Sequence, residues 1–380
     1  MHFEREIGFI RSQFAGQDFI PLHEPRFVGS EKSYVNEAID STFVSSVGTF
    51  VDQVETSIAE ATGTAKAVAV VNGTAALQVS LRLVGVIKGD EVITQALTFI
   101  ATSNAIAYNG AHPVFIDVDL DTMGLSPKAL EIFLESNCEI REGVCINKNS
   151  GRVIRACIPM HTFGFMIHMD ELKYVCSKWK ITIVEDAAEA LGSSYKGQPA
   201  GSFGKLSALS FNGNKIITAG GGGAIASNDI DLASKAKYLT TTAKVPHSWD
   251  YYHDELGYNF RMPNLNAALL CGQFEKLNSF IQKKRNLAMA YAEFFAERGI
   301  KFRTEPSESR SNYWLMSIEL ESEKDRDAFL EETNANHVMT RPIWKLNCDL
   351  PMYAHCESGP LENSRFLEKR IVNIPSSVIL

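Results

Sequence analysis

Between about residues 67 and 215, short apolar runs rich in Val, Ile and Ala alternate with stretches whose apolar residues recur at helical spacing. The runs cover residues 67–71, 91–94, 113–117, 156–159, 181–184 and 206–210. Strands that are apolar at successive positions have no solvent face, so they predict a sheet covered on both sides. The intervening helices carry their own start signals: Gly73 precedes the run from Thr74 to Leu83, and Ser126 precedes Pro127 at a first helical position. The expected fold class is therefore α/β, with a mostly parallel central sheet and helices on both faces.

After about Thr240 the pattern changes. A polar, aromatic loop (His247, Trp249, Tyr251, Tyr252, His253) leads to a long helical stretch over about 264–298 and then to shorter mixed elements. A chain of 380 residues exceeds one ordinary core. We expect a large α/β domain with an N-terminal helical segment over 1–245, and a smaller α+β domain over 246–380. Residues 138–152 and 241–260 are candidate insertions or flaps.

Composition narrows the function classes. Hydrophobic residues at 45% and charged residues at 22% suit a soluble globular enzyme. No uncharged apolar stretch approaches the roughly 20 residues that a membrane helix needs. Glu4, Arg5, Glu6 and Arg11 interrupt any secretory signal core, so a cytoplasmic protein is expected. A net charge of −8 offers no broad attraction to nucleic acid. The seven cysteines form no C-x-x-C pair and the nine histidines no H-E-x-x-H, so neither a disulfide framework nor a metal site is expected.

Three segments carry chemistry. In the first, a strand runs through Asn72-Gly73 into a helix beginning at Thr74 and Ala75, where unpaired amides and a hydroxyl would suit a phosphate. On local grounds alone, a plain N-cap is the simpler reading of Thr74. The second is a buried strand ending in Asp186, at the end of an α/β sheet where ligands bind. A carboxylate there could hold a pyridine nitrogen protonated, and helix capping is the alternative. The third is Lys215, which stands beyond a strand and before Gly220 to Gly223 in a stretch otherwise free of charge. A desolvated lysine can attack an aldehyde, and glycines admit a planar cofactor; a solvated loop lysine is the bland alternative. The glycine run does not follow the first strand of a βαβ unit, which argues against a dinucleotide site. Together the three segments point to pyridoxal phosphate (PLP).

On these residues the chain closely resembles the DegT-type nucleotide-sugar aminotransferases, a PLP family of the aspartate aminotransferase fold (fold type I). The matching stretches are Asn72 to Leu77, Leu97 to Asn104, His161 to Gly164, Glu185 to Gly192, Ser210 to Lys215 and Gly257 to Pro263. The resemblance implies that Lys215 is the Schiff-base lysine and the acid/base, and that Asp186 pairs with the pyridinium. It further implies that Thr74, Ala75 and Ser210 bind the phosphate and that Phe99 stacks on the ring. Glu189 stands where the family commonly has Gln beside the phenolic oxygen, a place in which a carboxylate would repel a phenolate. Asn259 would reach the phosphate of a neighbouring subunit, implying a homodimer with shared sites. Arg261 is a candidate for the amino donor's carboxylate, with a structural ion pair as the alternative.

Two departures stand out. Phe165 to Asp170 lacks the family's proline, and Gly221 replaces a common Glu. The first alters local turn geometry, and the second marks a subgroup: on Ala38 to Gly48, Pro159 to Gly164, Phe211 to Lys215, Gly220 to Gly223, Thr240 to Pro246 and His253 to Gly257 the chain resembles the 4-aminotransferases of legionaminic acid and related amino-sugar pathways. That likeness implies sugar contacts from Ser46 and His161. The implied reaction moves an amino group from L-glutamate to the C4 ketone of a nucleotide-linked 4-keto-6-deoxy-N-acetylhexosamine, for surface-glycan synthesis. The alternatives are an aminotransferase for another ketosugar (perosamine-type), a PLP-dependent sugar dehydratase, or a non-catalytic PLP-binding regulator.

Overall fold

The computed structural model describes residues 2–380. Its central sheet contains β1 (Lys66–Val70), β2 (Glu91–Gln95), β3 (His112–Ile116), β4 (Val153–Ile158), β5 (Thr182–Asp186), β6 (Leu206–Ser210) and β7 (Gly223–Ser227). They are ordered β1-β7-β6-β5-β4-β2-β3. All contacts from β6 through β3 are parallel; β7 alone runs antiparallel to both of its neighbours. Side chains one residue apart on a strand enter different cores. Val68, Val70, Ile225, Leu206 and Val184 pack into one apolar cluster, while Ala67, Ala69, Ala224, Ala226 and Leu209 pack into another. The continuous apolar runs thus serve two buried faces, as the period of a strand requires.

The strand β7 was absent from the sequence reading, in which Gly220 to Gly223 figured only as a loop. It reads Gly-Ala-Ile-Ala-Ser, and it begins with glycine because a Cβ on Gly223 would overlap the backbone of Asn72 and Gly73. Residues 138–147, expected as a flap, form a hairpin (Cys138–Arg141 with Val144–Asn147) whose second strand pairs with β4 and widens the sheet.

Helix α1 (Gly73–Leu83) follows β1 directly. Asn72, in extended backbone, is its N-cap, and its side-chain oxygen accepts the Ala75 amide hydrogen at 2.8 Å. Ser126 caps Pro127–Asn137 as its sequence predicts. The helical stretch over 264–298 divides into α2 (Asn264–Phe274) and α3 (Leu277–Glu297), because Lys276 N–H turns back to the Gln273 carbonyl at 3.0 Å and tightens the chain there. A second, antiparallel sheet brings together Lys301–Phe302, Met316–Glu319, Ile371–Ile374 and Arg341–Pro342. Among the described residues, no helix is long and apolar enough to cross a membrane.

The candidate active site

The carboxyl ends of β1, β5 and β6 open onto a cavity of about 800 Å³, closed on the far side by Trp314 and by Arg341 to Lys345 of the second sheet region. Such a crevice at strand ends is where an α/β sheet places its ligands. Of the expected residues, Thr74, Phe99, Asp186, Glu189, Ser210 and Lys215 line it. They reach it from four separate parts of the chain, so their meeting is a property of the fold and not of any one motif.

Each is held by local geometry. Asn72 takes the capping role considered for Thr74, which leaves the Thr74 hydroxyl on the cavity wall; Ala75 keeps its amide in the cap bond. A Cβ on Gly73 would lie 3.1 Å from Ser210 Cβ, so glycine lets the start of α1 come directly against Ser210. Asp186 is buried. Its Oδ2 accepts the Thr102 hydroxyl at 2.8 Å and its Oδ1 the Ala188 amide at 3.2 Å. Burial raises its pKa, and the two hydrogen bonds oppose that rise.

Lys215 is enclosed, with its Nζ 3.4 Å from Glu189 Oε1 and 3.9 Å from the centroid of the Trp314 ring. Glu189 Oε2 accepts the Phe163 amide at 2.9 Å. Burial lifts Glu189 to a pKa of about 7, against the attraction of Lys215. At neutral pH this carboxyl is therefore shared between its acid and base forms, which would ease its repulsion of a phenolate placed beside it.

The remaining expectations fall elsewhere. His161 is fully buried: its Nε2 meets Glu185 Oε1 at 2.9 Å and its Nδ1 accepts the Ile167 amide at 3.3 Å. This corrects the expected sugar contact, because both ring nitrogens are occupied inside the core. The histidine instead braces the turn at 162–164. Ser46 and Arg261 line a second cavity, of about 590 Å³, together with Phe43, Val47 and Asn264. Asn259 is beside them, its Oδ1 accepting Arg261 Nε at 3.1 Å and Nη2 at 2.9 Å. The Arg261 fork therefore rests on an amide and not on the carboxylate that a structural ion pair would supply.

Three residues escaped the sequence reading. Thr102 lies inside a stretch already singled out, four residues after Thr98, and its hydroxyl signals nothing until the sheet sets Asp186 opposite. Asn312 and Trp314 belong to a segment with no recognisable pattern. Asn312 Nδ2 donates to the carbonyls of Glu189 and Leu191 at 2.9 and 3.0 Å, and its Oδ1 accepts the Trp314 amide at 2.8 Å.

The donor set fits pyridoxal phosphate. Lys215 offers the amine for its aldehyde, Asp186 the anion for its ring nitrogen, and Thr74 with Ser210 the hydroxyls for its phosphate at a helix N-terminus. Phe99, half exposed at the rim, offers an aromatic face.

Comparison with known proteins agrees with this geometry. The sequence profile of the DegT/DnrJ/EryC1/StrS aminotransferase family matches residues 26–380. The putative pyridoxal phosphate-dependent aminotransferase EpsN of Bacillus subtilis (strain 168) is 35% identical, over 94% of this chain and 90% of its own. GDP-perosamine synthase of Escherichia coli O157:H7 is 34% identical, over 94% of this chain and 93% of its own. The solved structure of the putative sugar aminotransferase Spr1654 from Streptococcus pneumoniae, in its PMP form, shares 25% identity at a TM-score of 0.85, covering 94% of this chain and 92% of that one.

Proposed function

The chain belongs to the DegT/DnrJ/EryC1/StrS aminotransferase family and is a PLP-dependent sugar aminotransferase, and from that premise we propose its substrates. It takes an amino group from L-glutamate and delivers it to the C4 ketone of a nucleotide-linked 4-keto-6-deoxy-N-acetylhexosamine. The observation that carries the reading is the single cavity in which the Lys215 amine, the Asp186 carboxylate and the Thr74 and Ser210 hydroxyls meet.

When bound, pyridoxal phosphate supplies an aldehyde that exchanges amines and a pyridinium ring that withdraws electrons as a proton leaves carbon. The protein's residues do the rest. Asp186, fixed by Thr102, would pair as an anion with the ring nitrogen. Lys215 Nζ accepts the proton from the donor's α-carbon and returns it at the reacting carbon. Glu189, near neutrality, holds or yields a proton beside Lys215.

We further propose that the molecule works as a homodimer. Ser46 and Arg261, with Asn259 bonded to Arg261, stand at a cavity separate from Lys215 whose own lysine, Lys237, is paired with Glu55, and exposed Phe43 and Val47 line it. Contact through this face would bring them to the partner's Lys215 cavity and cover the apolar surface.

The sugar assignment rests on the likeness of residues 38–48, 159–164, 211–215, 220–223, 240–246 and 253–257. A perosamine-type substrate, with a hydroxyl where the first has an acetamido group, is the second reading, favoured by the relative named GDP-perosamine synthase. Incubation with glutamate and both ketosugars, with 2-oxoglutarate assayed and the products identified by NMR, separates them. Amination of neither sugar would overturn both readings.

A further inference from the structure

Lys215 is flanked by two side chains that share one anchor. Trp314 presents its ring face to Nζ at 3.9 Å, and Glu189 stands on the amine at 3.4 Å. Neither is free to move. Indole Nε1 donates to the Asn214 carbonyl at 2.6 Å, which ties the ring to the residue just before Lys215. The Trp314 amide donates to Asn312 Oδ1, while Asn312 Nδ2 donates to the Glu189 carbonyl. Asn312 is itself fully buried and donates its own N–H to Ser193 Oγ at 2.9 Å. Gly164, at φ +97°, passes so close that a Cβ would overlap Asn312 Oδ1. One buried amide therefore sets the spacing between an indole face and a carboxylate, with Lys215 Nζ between them.

An aromatic face attracts an ammonium and gains nothing from a neutral amine, and the attraction strengthens where water is excluded. The titratable groups facing this amine from other elements are Glu189, Asp186 and His23. His23 is driven toward its neutral form chiefly by burial and then by Lys284, so it adds no cation. Besides the Asp186 carboxylate, Trp314 is the facing group whose attraction survives protonation of Glu189.

We propose that Trp314 is a positioning residue for Lys215: it seats the lysine ammonium whenever the amine is not bonded to the cofactor, and so holds the protonated side chain in the site between half-reactions. The proposal rests on Lys215 being the cofactor-bonding lysine. It predicts a control of reactivity that no packing role would produce.

The test uses enzyme saturated with pyridoxamine phosphate, which leaves the lysine free, and follows reductive methylation of Lys215 by peptide mass spectrometry. Only the neutral amine reacts, so losing the ring face in Trp314→Leu speeds labelling about threefold or more near neutral pH, while Trp314→Phe stays within about twofold of the parent. Tryptophans carrying successive fluorines at position 314 keep the ring's shape but weaken its negative face. With them, labelling should rise at each added fluorine. Should Trp314→Leu fail to fold, that series decides alone. Equal labelling across the fluorinated series would overturn the proposal. Failure of borohydride to fix pyridoxal phosphate on Lys215 would instead strike the functional reading beneath it.

Discussion

Glu189 stands 3.4 Å from the Lys215 amine through one carboxylate oxygen and accepts the Phe163 amide hydrogen at 2.9 Å through the other. The second contact exists because Phe163 sits at φ +56° and Gly164 at φ +97°, a turn that aims an amide into the site. The motif whose histidine the resemblance implied as a sugar contact thus acts through its backbone, while that histidine holds the turn from behind.

The first prediction concerns pH. Burial raises Glu189 from an ordinary 4.5 to about 7, so the folded state binds more protons than the unfolded state between those values. Stability then falls as pH rises from about 4.5 to about 7 and levels off above, by at most roughly 3 kcal/mol from this group. Glu189→Gln removes the titration. Denaturant unfolding of the two proteins should show the variant gaining on the parent between pH 5 and pH 8; parallel curves would contradict the shift.

A second prediction follows from the Thr102 hydroxyl on Asp186. Thr102→Val preserves shape but leaves Oδ2 without its donor. A hydrogen bond to a charged group contributes about 1.5–3 kcal/mol, so cofactor affinity measured by equilibrium dialysis should fall about tenfold or more. An unchanged affinity would mean that Asp186 is not the group that meets the ring.

Gly164→Ala tests the turn itself. The new Cβ meets Asn312 at a positive φ, and neither the buried amide nor the turn has room to yield. The loss should exceed about 2 kcal/mol in denaturant unfolding, against about 1 kcal/mol for Gly151→Ala, which has positive φ but open space.

The proposed shared site predicts complementation. Lys215→Ala and Arg261→Ala, each inactive alone, should recover about a quarter of parental activity when unfolded together and refolded, since half of randomly paired dimers carry one intact site of two. No recovery, with dimers confirmed by sedimentation, would place both residues in one protomer's site.

Much of this was legible in the sequence because it is local. The apolar runs gave six strands of the central sheet, and Ser126-Pro127 gave a helix start, since period and capping act over a few residues. Lys215, Asp186 and Thr74 could be named as candidates because each ends a strand or follows one within a few residues. What escaped depends on long-range pairing: β7 is built of small residues that only two neighbouring strands make into a strand. Asn312 and Trp314 lie about a hundred residues from the lysine they surround, at spacings no motif encodes. His161 was misread for the converse reason, a motif residue whose partner Glu185 is invisible until strands β4 and β5 pair.

The most direct measurement is chemical. The protein is incubated with pyridoxal phosphate, reduced with borohydride and digested, and the peptide carrying the cofactor is identified. The account predicts a single stoichiometric modification at Lys215, abolished by prior treatment with L-glutamate and absent in Lys215→Ala. Capture on any other lysine, or none at Lys215 in folded protein, would contradict it.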